Sequence, residues 1–226
     1  MLFKKLFTII FFVLLLSACN DTSTAEKMYN HLEETVALEK DFQEQQEPLV
    51  QLEEQEKELY TQIISLGIEE LERVKKLSKK ALNSIDNRED RMKIEKESII
   101  AAQKEFEKIE PLIEELESEK AKEEANTLYK IMSERYEAYF KLNKAYIDSL
   151  SLDRTLYELL QKEDLTEKEL SEQIDKINKS YGNVISANQT FNEKTKAYNK
   201  LKEEFYQLVE LDVQYKGESG DVNQKD

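Results

Sequence analysis

His31 and Glu34, in His31-Leu32-Glu33-Glu34, stand three residues apart. On a helix that spacing puts an imidazole and a carboxylate on one face, where together they can hold a metal ion. Helical di-metal centres draw a Glu-x-x-His pair from each of two helices, and His31 is the one histidine among 226 residues. The pair therefore reads as a solvated helix face, and no metal is assigned to it. Cys19 is equally alone, with no partner for a disulfide within the chain and no companions for a zinc site. No Ser/His/Asp set, no cysteine nucleophile and no glycine-rich phosphate loop is present. The acids are many, but nothing selects two of them as a catalytic pair. The sequence points to a protein that is not an enzyme and uses no cofactor.

The chemistry open to Cys19 is covalent modification. Lys4 and Lys5 are followed by the apolar run from Leu6 to Leu16 and then by Leu16-Ser17-Ala18-Cys19. A basic start, about eleven apolar residues and small residues before a cut site describe an export signal. The run is too short to cross a bilayer, which takes roughly twenty apolar residues. Leu-Ser-Ala-Cys resembles a bacterial lipobox, which implies that the Cys19 thiol takes a diacylglyceryl group and that cleavage leaves Cys19 as the first residue. Two acyl chains such as palmitate hold a protein to a membrane, since each buried methylene contributes about 0.8 kcal/mol and one chain binds marginally. Residues 1–18 are thus expected to be a lipoprotein signal peptide and 19–25 a lipidated N-terminus with a short tether.

Two groups of side chains are candidates for non-covalent contact. Arg73, Lys75, Lys76, Lys79 and Lys80 form the densest basic run, expected near the end of the first long helix. They can touch wall polymer or membrane phosphate. They can equally be cations placed at a helix C-terminus and paired at i,i+4 as Glu69–Arg73 and Glu72–Lys76. Tyr129, Tyr136, Tyr139, Phe140, Tyr146 and Tyr157 concentrate aromatic rings in one region. Tyr139 and Tyr146 fall on an apolar seam. Tyr136 and Phe140 lie off it, where they can cradle a sugar ring or a partner helix, or pack against a neighbouring helix. The formal charge of −15 becomes −17 once Lys4 and Lys5 leave with the signal. Long-range electrostatics therefore disfavour polyanions, and nucleic acid is excluded as a partner.

The elements that carry these residues must be helices. Charged residues make up 36% of the chain, against four Gly, two Pro and no Trp, a composition of long helices and coiled coils. Helical periodicity runs from about residue 25 to 214. Ser23 and Glu26 fit a capping box at its start, and Leu52, Leu59, Ile63, Leu66, Leu71, Val74, Leu77 and Ile85 form the first seam. Pro48 should kink or break this segment, and the spacing widens at Gly67. A turn is expected at Asn83-Ser84-Ile85-Asp86-Asn87, with Asp86 and Glu89 opening a second long helix in which Pro111 is a kink candidate. Propensity dips again at 149–153, before a short helical piece carrying Leu156, Leu159 and Leu160. Thr166 and Glu169 form a further capping box. The segment it opens follows heptad spacing through Ile177, Tyr181, Val184, Asn188, Phe191, Thr195, Tyr198 and Phe205, with Asn188 and Thr195 as polar seam residues that can fix register.

The expected fold is all-α, an elongated antiparallel three- to four-helix up-and-down bundle with coiled-coil-like packing, about 90 Å long at 1.5 Å per residue. It occupies residues 26–214, and 215–226 read as a disordered polar tail. The lipobox, the single cysteine, the Glu/Lys-rich mature chain and this helical layout together resemble the YkyA-like cell-wall binding lipoproteins of Gram-positive bacteria. The resemblance covers the whole mature chain, with Leu16 to Cys19 as its one sharp motif, and no established chemistry comes with it. It implies a membrane-anchored, extracytoplasmic, non-catalytic module of the cell envelope. The partners to expect are the membrane, through the lipid on Cys19, and either peptidoglycan or another envelope protein. The alternative is a structural or adaptor coiled coil that positions another envelope protein without binding wall polymer.

Overall fold

The computed structural model describes residues 22–66 and 70–211. They form α1 (Thr24–Leu38), α2 (Lys40–Ile64), α3 (Leu71–Phe106), a 3-10 turn at Glu107–Ile109, the short α4 (Glu110–Ile113), α5 (Glu119–Leu159) and α6 (Glu167–Leu208), with no strand among them. Side-chain contacts give the directions. Phe42 meets Ser98 and Glu53 meets Arg88 across α2 and α3. Arg88 meets Tyr146 and Phe106 meets Tyr129 across α3 and α5. Asp153 meets Tyr181 and Glu134 meets Lys194 across α5 and α6. Residue numbers rise on one side of each pair as they fall on the other, so every neighbour is antiparallel. Glu33 on Lys202 and Tyr29 against Tyr206 close the ring between α1 and α6. The result is the expected up-and-down bundle, with α1 and α2 sharing the first of four struts.

The helix starts follow their local chemistry. Ser23 Oγ accepts from Glu26 N–H, and Thr166 with Glu169 forms a complete reciprocal capping box, each meeting amide donors that a helix start leaves unbonded.

The breaks differ from expectation. Pro48 lies inside α2 without ending it; the carbonyl it leaves unpaired belongs to exposed Glu44, where water can take it. The first strut is interrupted at Glu39 instead. Leu38 C=O and Phe42 N–H, which a continuous helix would join, are both taken by Ser98 Oγ from α3, at 2.6 and 3.2 Å. A side chain inserted into the i→i−4 ladder is a recognised cause of such a joint.

The expected turn at 83–87 is also corrected, because those residues lie mid-way along α3. Ala81, Ser84, Ile85 and Arg88 are buried at helical spacing, Ser84 Oγ donates to Leu52 C=O, and Asp86 and Glu89 bind Arg154 rather than capping a helix. Tertiary contacts here override the weak local preference of Asn, Ser and Asp for turns. The chain reverses earlier, between Ile64 and Leu71; the seam shift expected at Gly67 falls outside the described residues. The dip at 149–153 is likewise continuous helix, with Ser149, Leu150 and Asp153 buried, so no separate short helix follows. Near Pro111 the chain does break, through the 3-10 turn and α4, before α5 starts at Glu119, capped by Ser118. Moving the first turn shortens the rod: its longest helix, 42 residues, spans about 60 Å rather than about 90 Å.

The interior has two apolar parts. The larger, at the end where α1 starts, unites Met28, Leu32, Phe106, Leu128, Tyr139 and Phe205 with others from α1, α3, α5 and α6. The smaller, towards the opposite end, joins Ile63, Ala81, Ile85, Leu150 and Tyr157 from α2, α3 and α5, and takes nothing from α6. Buried polar groups punctuate them. Glu39 and Arg135 form a two-point ion pair, both distances 2.7 Å. Arg135 also donates to Thr195 Oγ1 at 2.9 Å and lies 4.9 Å from the Phe191 ring centre. Thr195 is therefore a register contact, as its seam position suggests, whereas Asn188 faces solvent.

Candidate functional site

Half of α6 has little core to face. Around residues 181–190 it is largely exposed, with Tyr181 and Ile185 showing 39% and 59% of their surface. It follows α5 there while α2 stays apart, and a groove of about 480 Å³ opens between α2 and α6. Its walls carry Tyr60, Leu156, Ile174, Tyr181, Val184 and Ile185, and its floor Glu56, Arg88, Tyr146, Asp153 and Tyr157. A shallower depression of about 380 Å³ between α2 and α3 is lined by Gln55, Gln62, Lys80 and Asn83 among others. Every group in it is a neutral or solvated surface side chain except its apolar rim, so it offers no comparable chemistry.

The floor of the groove is a buried ionic network. Arg88 reaches Glu56 at 2.5 Å and Glu53 at 3.4 Å, and its Nε donates to Tyr146 Oη at 2.9 Å. Tyr146 in turn donates to Glu53 at 2.6 Å. Tyr181 Oη donates to Asp153 Oδ1 at 2.8 Å, while Asp153 Oδ2 is buried with no partner. Ser149, one turn before Asp153 on the same helix, donates to Tyr146 C=O. Burial pushes the Glu56 carboxyl up to about 7, against the pull of Arg88 and with Asp153 adding to the rise. Burial also raises Asp153 above the ordinary carboxylate range, with Tyr181 and Arg88 opposing. Tyr146, Tyr157 and Tyr181 are raised as well, first by burial, so they stay protonated and act as donors. Arg88 and the tyrosine hydroxyls tie Glu53, Glu56 and Asp153 Oδ1 to fixed donors, which leaves Asp153 Oδ2 as the one buried carboxylate oxygen of the floor without a partner among the described residues.

The residues singled out by sequence lie elsewhere. Tyr136 is 1% exposed, packed edge-on to Phe106 and beside Arg135; its ring has no free face for a sugar, which corrects the cradle expectation. Phe140 is half-buried against Tyr139. The basic run sits at the beginning of α3, not at a helix C-terminus, so the helix dipole does not account for it. Arg73 pairs with Glu70, and Glu72 pairs with Lys75, which also meets Glu163, rather than with Lys76 as expected; the expected Glu69–Arg73 pair falls outside the described residues. Lys76, Lys79 and Lys80 are exposed and make no ion pair among the described residues. His31 Nδ1 meets Glu105 at 2.6 Å rather than Glu34, and the described residues hold no cluster of three metal-ligating side chains. Cys19 lies outside the described residues. The groove's charged floor was legible in principle: Glu56 stands four residues after Leu52 and three before Leu59, Arg88 between Ile85 and Met92, and Asp153 three residues after Leu150. Each is a charge on an apolar seam.

Comparison with known proteins agrees with this architecture. A family model, YkyA, described as "Putative cell-wall binding lipoprotein", matches residues 23–208. A Bacillus subtilis (strain 168) protein called uncharacterized lipoprotein YkyA is 34% identical over 193 residues, 85% of this chain and 86% of that one. The crystal structure of a conserved protein of unknown function from Staphylococcus aureus superposes with a TM-score of 0.72 at 17% identity, over 80% of this chain and 91% of the other, and shares the fold.

Proposed function

This chain belongs to the YkyA family, and from that premise we propose that it is a lipoprotein held at Cys19 whose bundle is a non-catalytic binding module of the cell envelope, contacting the cell wall. One observation carries the reading. The strut that follows Cys19 in sequence begins at one end of the rod, and the candidate contact surfaces lie towards the other. The first strut begins at Thr24, five residues after Cys19, and runs some 33 residues to the groove wall at Lys57, which is about 50 Å of helix. The exposed Lys76, Lys79 and Lys80 begin α3 at that same far end. A lipid at one end and open side chains at the other are what a tethered spacer needs to reach material beyond the membrane surface. The mature charge of −17 confines any contact with wall polyanions to that local basic face.

Sedimentation of the mature chain, freed of acyl chains by Cys19→Ser, with purified peptidoglycan tests the proposal. Co-sedimentation is expected. A chain that stays in the supernatant refutes wall contact and leaves the adaptor reading, in which the same spacer positions another envelope protein.

A further inference from the structure

We infer that the groove between α2 and α6 is a binding site for a primary ammonium group carried on an apolar stem. Asp153 is 2% exposed, yet its Oδ2 has no donor. The donors paired nearby point elsewhere: Tyr181 to Oδ1, Ser149 to the Tyr146 carbonyl, Arg88 to Glu53, Glu56 and Tyr146, and the Tyr157 hydroxyl towards Glu56. A buried carboxylate oxygen without a partner is costly, and a ligand that brings both an N–H and a positive charge relieves it.

Charge and shape agree on that ligand. Glu53, Glu56 and Asp153 face the groove against Arg88 and Lys57, an excess of one negative charge when all three acids are ionised, and Lys57 is an exposed rim residue. Four tyrosines, Tyr60, Tyr146, Tyr157 and Tyr181, line the same space. Ring faces attract ammonium groups, more strongly where water is excluded. Leu156, Ile174, Val184 and Ile185 complete a wall suited to alkyl carbon rather than to the hydroxyls of a sugar. The volume is in the range of small-molecule sites.

Calorimetric titration of the mature Cys19→Ser chain with hexylammonium, hexan-1-ol and N-acetylglucosamine decides the matter. Hexylammonium is expected to bind saturably and at least about tenfold tighter than hexan-1-ol, a difference near 1.4 kcal/mol. Asp153→Asn should abolish that difference while keeping the alcohol's weak binding. If Asp153→Asn does not fold, Tyr60→Leu on the groove wall should shrink the preference for the cation instead. Equal affinity for cation and alcohol, tighter binding of N-acetylglucosamine, or a preference untouched by the folded variants would each overturn the assignment. Wall sedimentation is a separate readout: a chain that sediments with peptidoglycan but ignores hexylammonium keeps the proposed function and loses this ligand.

Discussion

Replacing Glu95 by Gln should stabilise the bundle at alkaline pH and do little in acid. Glu95 is 4% exposed in the middle of α3. Its Oε1 accepts one hydrogen bond, from Gln46 at 3.1 Å, and its Oε2 has no partner. Burial with that single donor to oppose it lifts the carboxyl from 4.5 to about 7. Because the folded value is the higher one, the folded chain holds the proton across a window where the unfolded chain has lost it. Stability is therefore full below 4.5 and falls as pH rises through about 7. The rise of some two and a half units corresponds to about 3 kcal/mol of stability lost by pH 8, at 1.36 kcal/mol per unit. Glutamine keeps the acceptor for Gln46, matches the shape, costs no helix propensity and cannot ionise.

Urea unfolding followed by far-UV circular dichroism at pH 5 and pH 8 measures the effect. Subtracting wild type from variant at each pH cancels the other acids, including Glu105 and Glu134, which their lysine partners lower in the opposite direction. The expected gain is about 3 kcal/mol at pH 8 and just under 1 kcal/mol at pH 5. A variant no more stable than wild type at pH 8 would show that the carboxylate is solvated or paired when charged. An equal gain at both pH values would show that its ionisation plays no part.

Arg135→Met should cost about 3–5 kcal/mol in the same assay, because it strands the buried Glu39 carboxylate; restoring stability with Glu39→Gln in the same chain would confirm the cause. Ser98→Ala removes the one group that serves both Leu38 C=O and Phe42 N–H, and should cost about 1–3 kcal/mol with faster amide exchange at residue 42. Thr166→Ala should cost about 1 kcal/mol, read as a lower urea midpoint with an unchanged slope. Cys19→Ser should move the protein from the membrane to the soluble fraction of expressing cells while its helical circular dichroism stays the same; a variant still pelleting with membranes would show a second anchor.

What the sequence made readable was local. The capping box at Thr166 and Glu169 needs four consecutive residues to form, and it formed as read. The buried run Phe191, Tyr198 and Phe205 follows from heptad spacing alone. The joint at Glu39 could not be read, because its cause, Ser98, comes from another helix. The false turn at 83–87 had the same origin: Ser84 and Asp86 look like turn residues until Leu52 and Arg154 supply their partners. Tyr136 was misjudged because a single seam describes a helix with one neighbour. α5 lies between α3 and α6, so Met132, Arg135, Tyr136 and Tyr139 are all buried over a wider arc. The groove was hidden for the converse reason. Tyr181 and Val184 follow the heptad, and nothing in α6 itself says that α2 fails to meet them.

The shared first strut has a mechanical consequence. With a lipid at Cys19 and a ligand held by Glu56, Tyr60 and their neighbours, tension between membrane and ligand runs along α1 and α2, parallel to the bundle axis. Force in that direction loads the contacts with α3 in shear, so the strut gives where it is weakest rather than peeling turn by turn from an end. The yielding point is the joint at Leu38 and Phe42, where the helix itself is interrupted and Ser98 and the Arg135–Glu39 clamp fasten the strut sideways to α3 and α5. Pulled from its ends, the molecule should extend first at that splice, with α1 drawn away from the larger core while α2 and the groove remain intact.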